Sequence, residues 1–562
     1  MQEKEIKVKN LDHLGLVAGM IDELGIVKAI EQLIPKDESK GAKLSFGELT
    51  KAMILNGLGY VNKQLYMVKD FFKDKPLKQL FNKDINWQYF NDDSLGRTLD
   101  KLYEYGVTNI FEKIAKNTID TLNIKVNALN IDSTSFHVDG EYKNSQLQLK
   151  NDSDVTVRLK KGYSRDYHPE LKQVVLNLIV ENSSGIPLML KVADGNQIDT
   201  RGFNKIVKEH IKSLKNNYND KFLLIGDASL YVEESIKSLH KQNLLFITRV
   251  PTKFKEAKEL LKELKDEELI EIDKNYNYKS VTLEHFDISE KWVVYKSNSS
   301  NKKEVGTLNK VLLKNSSDEL KEANRLKKRI FYCTEDAISA YNKLKQNSKF
   351  IKLTDYKIIK KPKFQSKGRP KKDEKPVSFE YYLDYYTYMD IDTVQEQRNL
   401  KSGYFILATN DLTISAKELL DEYKTQQRVE RGFRFLKSPE FLSDAIFLKT
   451  EKRIEAMLMI MTLCLLVYAS LEYKIRQELK QKDLTLPNQL NKEVQNPTTR
   501  WIFQIFFAIH MVTVAKTFQQ VVGVNDLHLK ILNLLGDRYK RFYRIDSGSK
   551  SEKMLKVVRN DG

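Results

Sequence analysis

Apolar positions recur at helical spacing through roughly the first 122 residues. Ser45 and Glu48 form a capping-box pattern ahead of FGELTKAMILNGLGY. Asn91 to Ser94 offer caps for LGRTLDKLYEYG, and Gly106 supplies a stop. From about residue 123 the period shortens. NALNIDSTSF (127–136) predicts a buried strand, and VVLNLIVENSSGIPLMLKVADG (174–195) predicts two strands joined at a Ser-Ser-Gly turn. Ile206 to Leu214 keeps a helical pattern. FLLIGD (222–227) is a short apolar strand, YVEESIKSLHKQN (231–243) a helix, and LLFITRV (244–250) a strand.

Residues 251–402 break this rhythm with a Lys/Glu-rich helical piece (254–267), strands such as KWVVYKS (291–297) and a tract rich in Lys and Pro. The order resumes with the strand YFILATN (404–410) and one long helix from about Ala416 to Lys437. AMLMIMTLCLLVYASL (456–471) is nearly all apolar. Its 16 residues fall short of a span, and Arg453, Glu455 and Glu472 flank it, so it reads as a buried core helix and no membrane partner is expected.

A hairpin meander followed by strand–helix alternation predicts an α/β, ribonuclease-H-like core; an ordinary doubly wound sheet lacks the opening hairpin. The expected organisation is a helical N-terminal domain (1–122), the first part of the core (123–250), a strand-rich insertion with a basic tract (251–402), the second part of the core (403–475) and a helical C-terminal region (476–562).

Composition narrows the partners. With 41% hydrophobic and 10% aromatic residues the chain can bury real cores. Its 94 Lys and Arg against 76 Asp and Glu leave a net charge of +18, which favours a polyanion through counterion release. A generically basic protein gives the same sum, so charge alone does not decide. Cys333 and Cys464 lack a CxxC neighbour and build neither a disulfide framework nor a zinc site. The N-terminal MQEKEIKVKNLDHLG has no apolar signal core, and a cytoplasmic location is expected. No glycine-rich phosphate loop is evident, so ATP dependence is not expected.

Three carboxylates carry the candidate chemistry. Asp132 lies inside one apolar strand and Asp227 ends another. A carboxylate there must be paired, hydrogen-bonded or metal-bound, because desolvating a lone charge is costly. A capping role explains Asp227 equally well if it is taken alone. In YKTQQRVERGFRFLK (423–437), Tyr423, Glu430 and Lys437 are spaced seven apart, so on a continuous helix they share one face. Gln426 and Gln427 lie on the same side, with Arg428, Arg431 and Arg434 spread around it. Such a face suits a phosphodiester backbone; a solvated face with paired charges has the same spacing. Phosphodiester cleavage needs a deprotonated water and a stabilised leaving oxygen, which two cations about 3.5–4 Å apart supply. Magnesium takes oxygen ligands, and three converging carboxylates repel one another unless cations stand between them.

The helix resembles the insertion-sequence transposase signature of Tyr, two residues, Arg, three residues, Glu, six residues, Lys. NIDSTSF and LIGDASLY resemble that family's two aspartate strands. The likeness is to DDE transposases of the insertion-sequence-four superfamily, most closely its insertion-sequence-1634 branch. NDDSLGRTLDKLYEYG, GYSRDYHPELKQ and VERGFRFLKSPEF extend it over nearly the whole chain. It implies that Asp132, Asp227 and Glu430 bind two Mg2+ ions, with Mn2+ as a substitute, and that Tyr423 and Lys437 contact DNA near the scissile phosphate. It implies double-stranded DNA partners (terminal inverted repeats and target) and a homodimer in the synaptic complex. Gln426 stands where the family has arginine. The separations are 95 residues from Asp132 to Asp227 and 203 from Asp227 to Glu430, and relatives with a long second gap carry a strand-rich insertion there.

Arg434 is a further DNA candidate on the same helix. Lys367 and Arg369, in KGRPKK (367–372), resemble an AT-hook core that enters a narrow minor groove; a plain basic loop fits equally. Trp292 has a base-stacking reading and a buried-sheet reading. His137 and His168, near the first aspartate strand, read as metal or general-base candidates or as ordinary hydrogen-bonded histidines. Two rivals remain: an inactive DNA-binding relic, and a nuclease that cuts without joining.

Overall fold

The computed structural model describes residues 6–36, 42–60, 67–138, 157–163, 168, 170–219, 221–298, 300–365, 375–391, 393, 403–438, 448, 450–514 and 518–545. The chain forms two compact units. The first holds Met1–Thr248, His285–Ile288 and Glu418–Gly562; the second holds Arg249–Glu284 and Ser289–Lys417.

Helices Leu14–Glu23, Ile26–Leu33, Phe46–Gly57, Asp92–Tyr105 and Val107–Thr121 open the first unit. The capping box forms: the Glu48 amide donates to Ser45 Oγ at 3.1 Å, and the Ser45 amide to Glu48 Oε2 at 2.8 Å. Asn91 Oδ1 caps its helix through the Ser94 amide, and Gly106 ends it with φ of 104°. The expected all-helical start needs one correction. Ile6–Asn10 (IKVKN) alternates with period two and pairs antiparallel with His510–Val514, which pairs in turn with Phe518–Val522. Two of these strands lie in the C-terminal region, which is therefore mixed rather than helical.

The first unit's sheet contains β1 (Ala128–Val138), β2 (Lys172–Glu181), β3 (Pro187–Asp194), β4 (Leu223–Gly226) and β5 (Leu245–Arg249), in spatial order 3-2-1-4-5. β1, β2 and β3 form the antiparallel meander, turning at Ser183-Ser184-Gly185, where Gly185 has φ of 73°. β4 and β5 run parallel to β1. α1 (Asp199–Glu209) and a short helix Ile211–Asn217 precede β4, and α2 (Glu233–Lys241) links β4 to β5.

In the second unit, β6 (Ile270–Asp273), β7 (Tyr276–His285), β8 (Ile288–Ser297) and β9 (Tyr404–Thr409) are neighbours in the order 9-8-7-6. The strand at 404–409, expected to reopen the core, pairs antiparallel with β8, and the first unit resumes only at Glu418. This unit is also more helical than expected, with helices Ser300–Lys328 and Thr334–Asn347. Trp292 is wholly buried and its Nε1 donates to Glu290 Oε2 at 2.7 Å, so the sheet reading holds and the base-stacking reading fails.

From Glu418 the first unit continues through the rest of α3 (Ala416–Lys424), α4 (Gln427–Leu436) and α5 (Glu451–Gln481). The single helix expected over 416–437 is interrupted. The amides of Thr425, Gln426, Arg428 and Val429 bond three residues back rather than four, a 3₁₀ tightening that changes the helix phase. α5 is longer than the 16-residue apolar run and is the one described helix long and apolar enough to cross a membrane. Here it is the first unit's central core helix, with 83% of its apolar window buried. Gly96 lets the Asp92–Tyr105 helix approach it closely: a Cβ there would lie 2.9 Å from the Arg453 guanidinium, which forks onto Asp100 at 2.8 and 2.7 Å.

Candidate active site

Ile131 of β1 registers with Gly226 of β4, so the next residues, Asp132 and Asp227, stand side by side at the end of the parallel pairing. Gly226 permits this approach, since a Cβ there would meet Leu230 at 2.8 Å and Ile131 at 3.1 Å. Both aspartates are half-buried. The Ser133 amide donates to Asp132 Oδ1 at 2.7 Å, and the Ser229 amide to Asp227 Oδ1 at 2.9 Å. Thr248 Oγ1 anchors the Asp227 carbonyl at 2.7 Å.

Side chains alternate along β1. Ser133 faces α1, where its Oγ donates to Asp199 Oδ1 at 2.6 Å. Asn130, Asp132 and Phe136 face the other way. On that side Thr425 Oγ1 lies 3.4 Å from Asn130 Oδ1, and Lys437 Nζ sits 5.5 Å from the centre of the Phe136 ring. The helical segment therefore runs along β1. Glu430, between those two anchors, lies alongside the stretch that begins at Asp132.

The α4 helix packs through Val429, Gly432, Phe433 and Leu436. A Cβ on Gly432 would meet Leu465 of α5 at 3.1 Å. The exposed stripe is Gln427, Glu430, Arg431 and Arg434. This departs from the expected face. Gln426 is only 7% exposed and stands at the N-cap of α4 without a side-chain capping bond, inside the 3₁₀ tightening. Tyr423 belongs to α3, on the other side of the interruption from Glu430.

A network that the sequence did not announce holds the two helices on the sheet. Asn182 Nδ2 donates to Glu422 Oε2 at 2.7 Å, Asn130 Nδ2 to Asn182 Oδ1 at 2.9 Å, and Arg428 to the Asn182 carbonyl. Glu181 accepts from the amides and hydroxyls of Ser183 and Ser184 at 2.7–2.9 Å. Burial raises the Glu422 carboxyl and lowers Arg428, while Glu181 and Glu422 help keep Arg428 charged. Arg428 thus serves the hairpin turn. Only the short Ser-Ser-Gly turn beside Glu181 hinted at this anchor.

Among the described residues, no group of three or more His, Cys, Asp or Glu side chains is placed to hold a metal ion. The structure brings the two aspartates together and sets Glu430 on an exposed stripe of the adjoining helix. Lys367 and Arg369 lie outside the described residues. The His137 and His168 rings lie tilted to one another with centres 5.1 Å apart, and His168 Nδ1 lies 3.1 Å from Glu170 Oε1.

Residues 127–467, more than half of the chain, match the family model described as a transposase DDE domain. The chain belongs to the DDE transposase family. Its N-terminal residues 6–116 match a domain of unknown function, DUF4277. No curated protein matches this transposase. Among solved structures it is similar to a piggyBac transposase synaptic complex with hairpin DNA, at 11% identity and a TM-score of 0.37, over 99% of this chain and 87% of that one. A likeness that distant carries no argument about the site.

Proposed function

We propose that this transposase cleaves DNA at the ends of its own element and joins the freed 3′ ends to target DNA, using Asp132, Asp227 and Glu430. The observation that carries the reading is the adjacency of Asp132 and Asp227 on the sheet face over which the Glu430 helix lies. The meander and the 3-2-1-4-5 strand order support a ribonuclease-H-like core. The motifs around the three carboxylates support the insertion-sequence-four superfamily and its insertion-sequence-1634 branch.

The donor set fits divalent cations. All three groups are hard oxygen donors, and magnesium binds through one or two carboxylates plus substrate phosphates rather than in an all-protein cage. Asp132 and Asp227 would hold the cations, with Glu430 closing the site from the helix. Bound Mg2+ supplies a lowered water pKa and neutralises the oxygens at the scissile phosphate. The chain's own part is positioning. The Ser133 and Ser229 amides fix one oxygen of each aspartate, one carboxylate projecting from within β1 and the other from the residue that follows β4. Arg431 and Arg434 flank Glu430 on the exposed stripe, where they can hold DNA phosphates. Synapsis of two ends calls for a homodimer on DNA.

The test is incubation of the purified chain with labelled element-end duplex and a target plasmid in Mg2+ or Mn2+. The reading expects nicks at the element's 3′ ends and joined products. Nicks without joining would favour the nuclease, and binding without either would favour the relic.

A further inference from the structure

We infer that the two-stranded ribbon formed by Lys357–Lys363 and Ser378–Asp384 in the second unit is a separate grip for double-stranded DNA. The strands pair antiparallel from Lys357 with Asp384 to Lys363 with Ser378. Alternation divides their side chains into two faces. Ile358, Tyr381 and Leu383 share one face and pack on a core that includes Phe331, Tyr341 and Tyr385. That anchoring makes the base of the ribbon rigid.

The opposite face carries Lys357, Ile359, Lys361 and Lys363 beside Asp384, Tyr382, Glu380 and Ser378, with Lys363 Nζ paired to Glu380 Oε1 at 3.1 Å. The three lysines are exposed, and Ile359 is 42% exposed. Lys361 Nζ lies 4.9 Å from the Tyr382 ring centre on this face, and beyond the packed base of the other face Lys360 Nζ lies 4.0 Å from the ring centre of Phe379. Tyr332 adds a ring that is 72% exposed. Lysines and a proline, here Pro362, can blunt an open strand edge against aggregation. That purpose does not call for aromatic rings interleaved with the lysines or for an exposed isoleucine.

Geometry and charge select the occupant. A two-stranded ribbon fits a B-DNA major groove about 12 Å wide. Seven residues at about 3.3 Å each give about 23 Å of ribbon, well short of one helical turn of about 34 Å. Lysines rising from one face reach the phosphates bordering a groove, while the rings between them meet base edges or sugars. The choice of DNA as the polyanion rests on the proposed transposition reading; the surface itself does not include the three carboxylates.

The experiment uses the full chain in an Asp132→Asn background, so that binding is read without cleavage. A mixed-sequence duplex is titrated across a salt series, with the single strand of the same sequence as competitor. Combined Lys357→Ala, Lys361→Ala and Lys363→Ala should lower the slope of log affinity against log salt by about two to three. The control removes the same charge from the exposed Lys255, Lys258 and Lys262 of the Lys255–Glu263 helix and should leave the slope unchanged. Tyr382→Leu, which keeps the charge, should weaken binding without changing the slope. Equal slopes for the two triple variants, or preferential binding of the single strand, would overturn the ribbon as a duplex grip. Ribbon-dependent binding by a wild-type protein that never cleaves would overturn the proposed function and leave the ribbon standing.

Discussion

Asp227 leaves its strand one residue after Gly226, whose registered partner is Ile131, and so it stands beside Asp132. Two carboxylates so placed repel one another while no cation lies between them. Asp227→Asn should therefore stabilise the metal-free protein by about 1 kcal/mol, since functional sites hold strain of this kind. Thermal unfolding in chelator measures it. Adding Mg2+ should raise the wild-type midpoint and leave the variant's nearly still. A variant no more stable than wild type in chelator would show that the two side chains diverge.

Arg428 faces Glu181 and Glu422 at the meander's turn and donates to the Asn182 carbonyl. Removing it leaves buried negative charge uncompensated. Arg428→Ala should cost about 2 kcal/mol in urea unfolding and loosen α4 from the sheet. Arg428→Lys should recover only part of this, because a point charge lacks the guanidinium fork. Full stability in the Ala variant would contradict the anchoring role.

Glu455, on α5, is largely buried, and desolvation pushes its carboxyl up to about 7, partly offset by Lys191. The folded state then holds a proton that the unfolded chain releases above its ordinary value of 4.5. This contribution is most favourable below that value, falls as pH rises to about 7 and is constant beyond, a loss of about 3 kcal/mol. His13 gives the opposite slope. Burial lowers it to about 4 from 6.5, so its contribution improves as pH rises through that window. The difference between wild type and Glu455→Gln isolates the carboxyl: the gap should favour the variant and widen between pH 4.5 and 7. A constant gap would show that Glu455 is ionised throughout.

Lys437 caps α4 and lies over Phe136, two turns beyond Glu430. A phosphate contact there positions the strand without reading its sequence. Lys437→Ala should reduce the salt slope for element-end DNA by about one and slow cleavage by on the order of 10²-fold. Filter binding with parallel cleavage rates reads both. No change in either would leave Lys437 as a surface lysine.

Much of this architecture was legible in the residues. The meander, the alternation after it, the caps at Ser45 and Asn91 and the stop at Gly106 all follow from local pattern. The same holds for Asp132 and Asp227, whose apolar strands bring their place in the sheet with them. What escaped is tertiary. Heptad spacing put Tyr423, Glu430 and Lys437 on one face, but that presumes unbroken α-helical phase. The bonds of Thr425 to Asn130 and of Asn182 to Glu422 come with a tightened turn that buries Gln426. The strand at Ile6–Asn10 was missed because its partner, His510–Val514, lies 500 residues away in sequence. The helices of the second unit were masked by Lys-rich, weakly periodic sequence.

Glu430, exposed on α4 alongside the β1 stretch that begins at Asp132, is proposed to complete the reactive site. The most direct test is single-turnover cleavage of labelled element-end duplex by Glu430→Gln in Mg2+, with duplex affinity measured on the same preparation. Glutamine keeps the shape and removes the charge. Cleavage should fall by at least about 10³-fold, with affinity within about threefold of wild type because basic residues supply the binding. Cleavage at the wild-type rate would contradict that role.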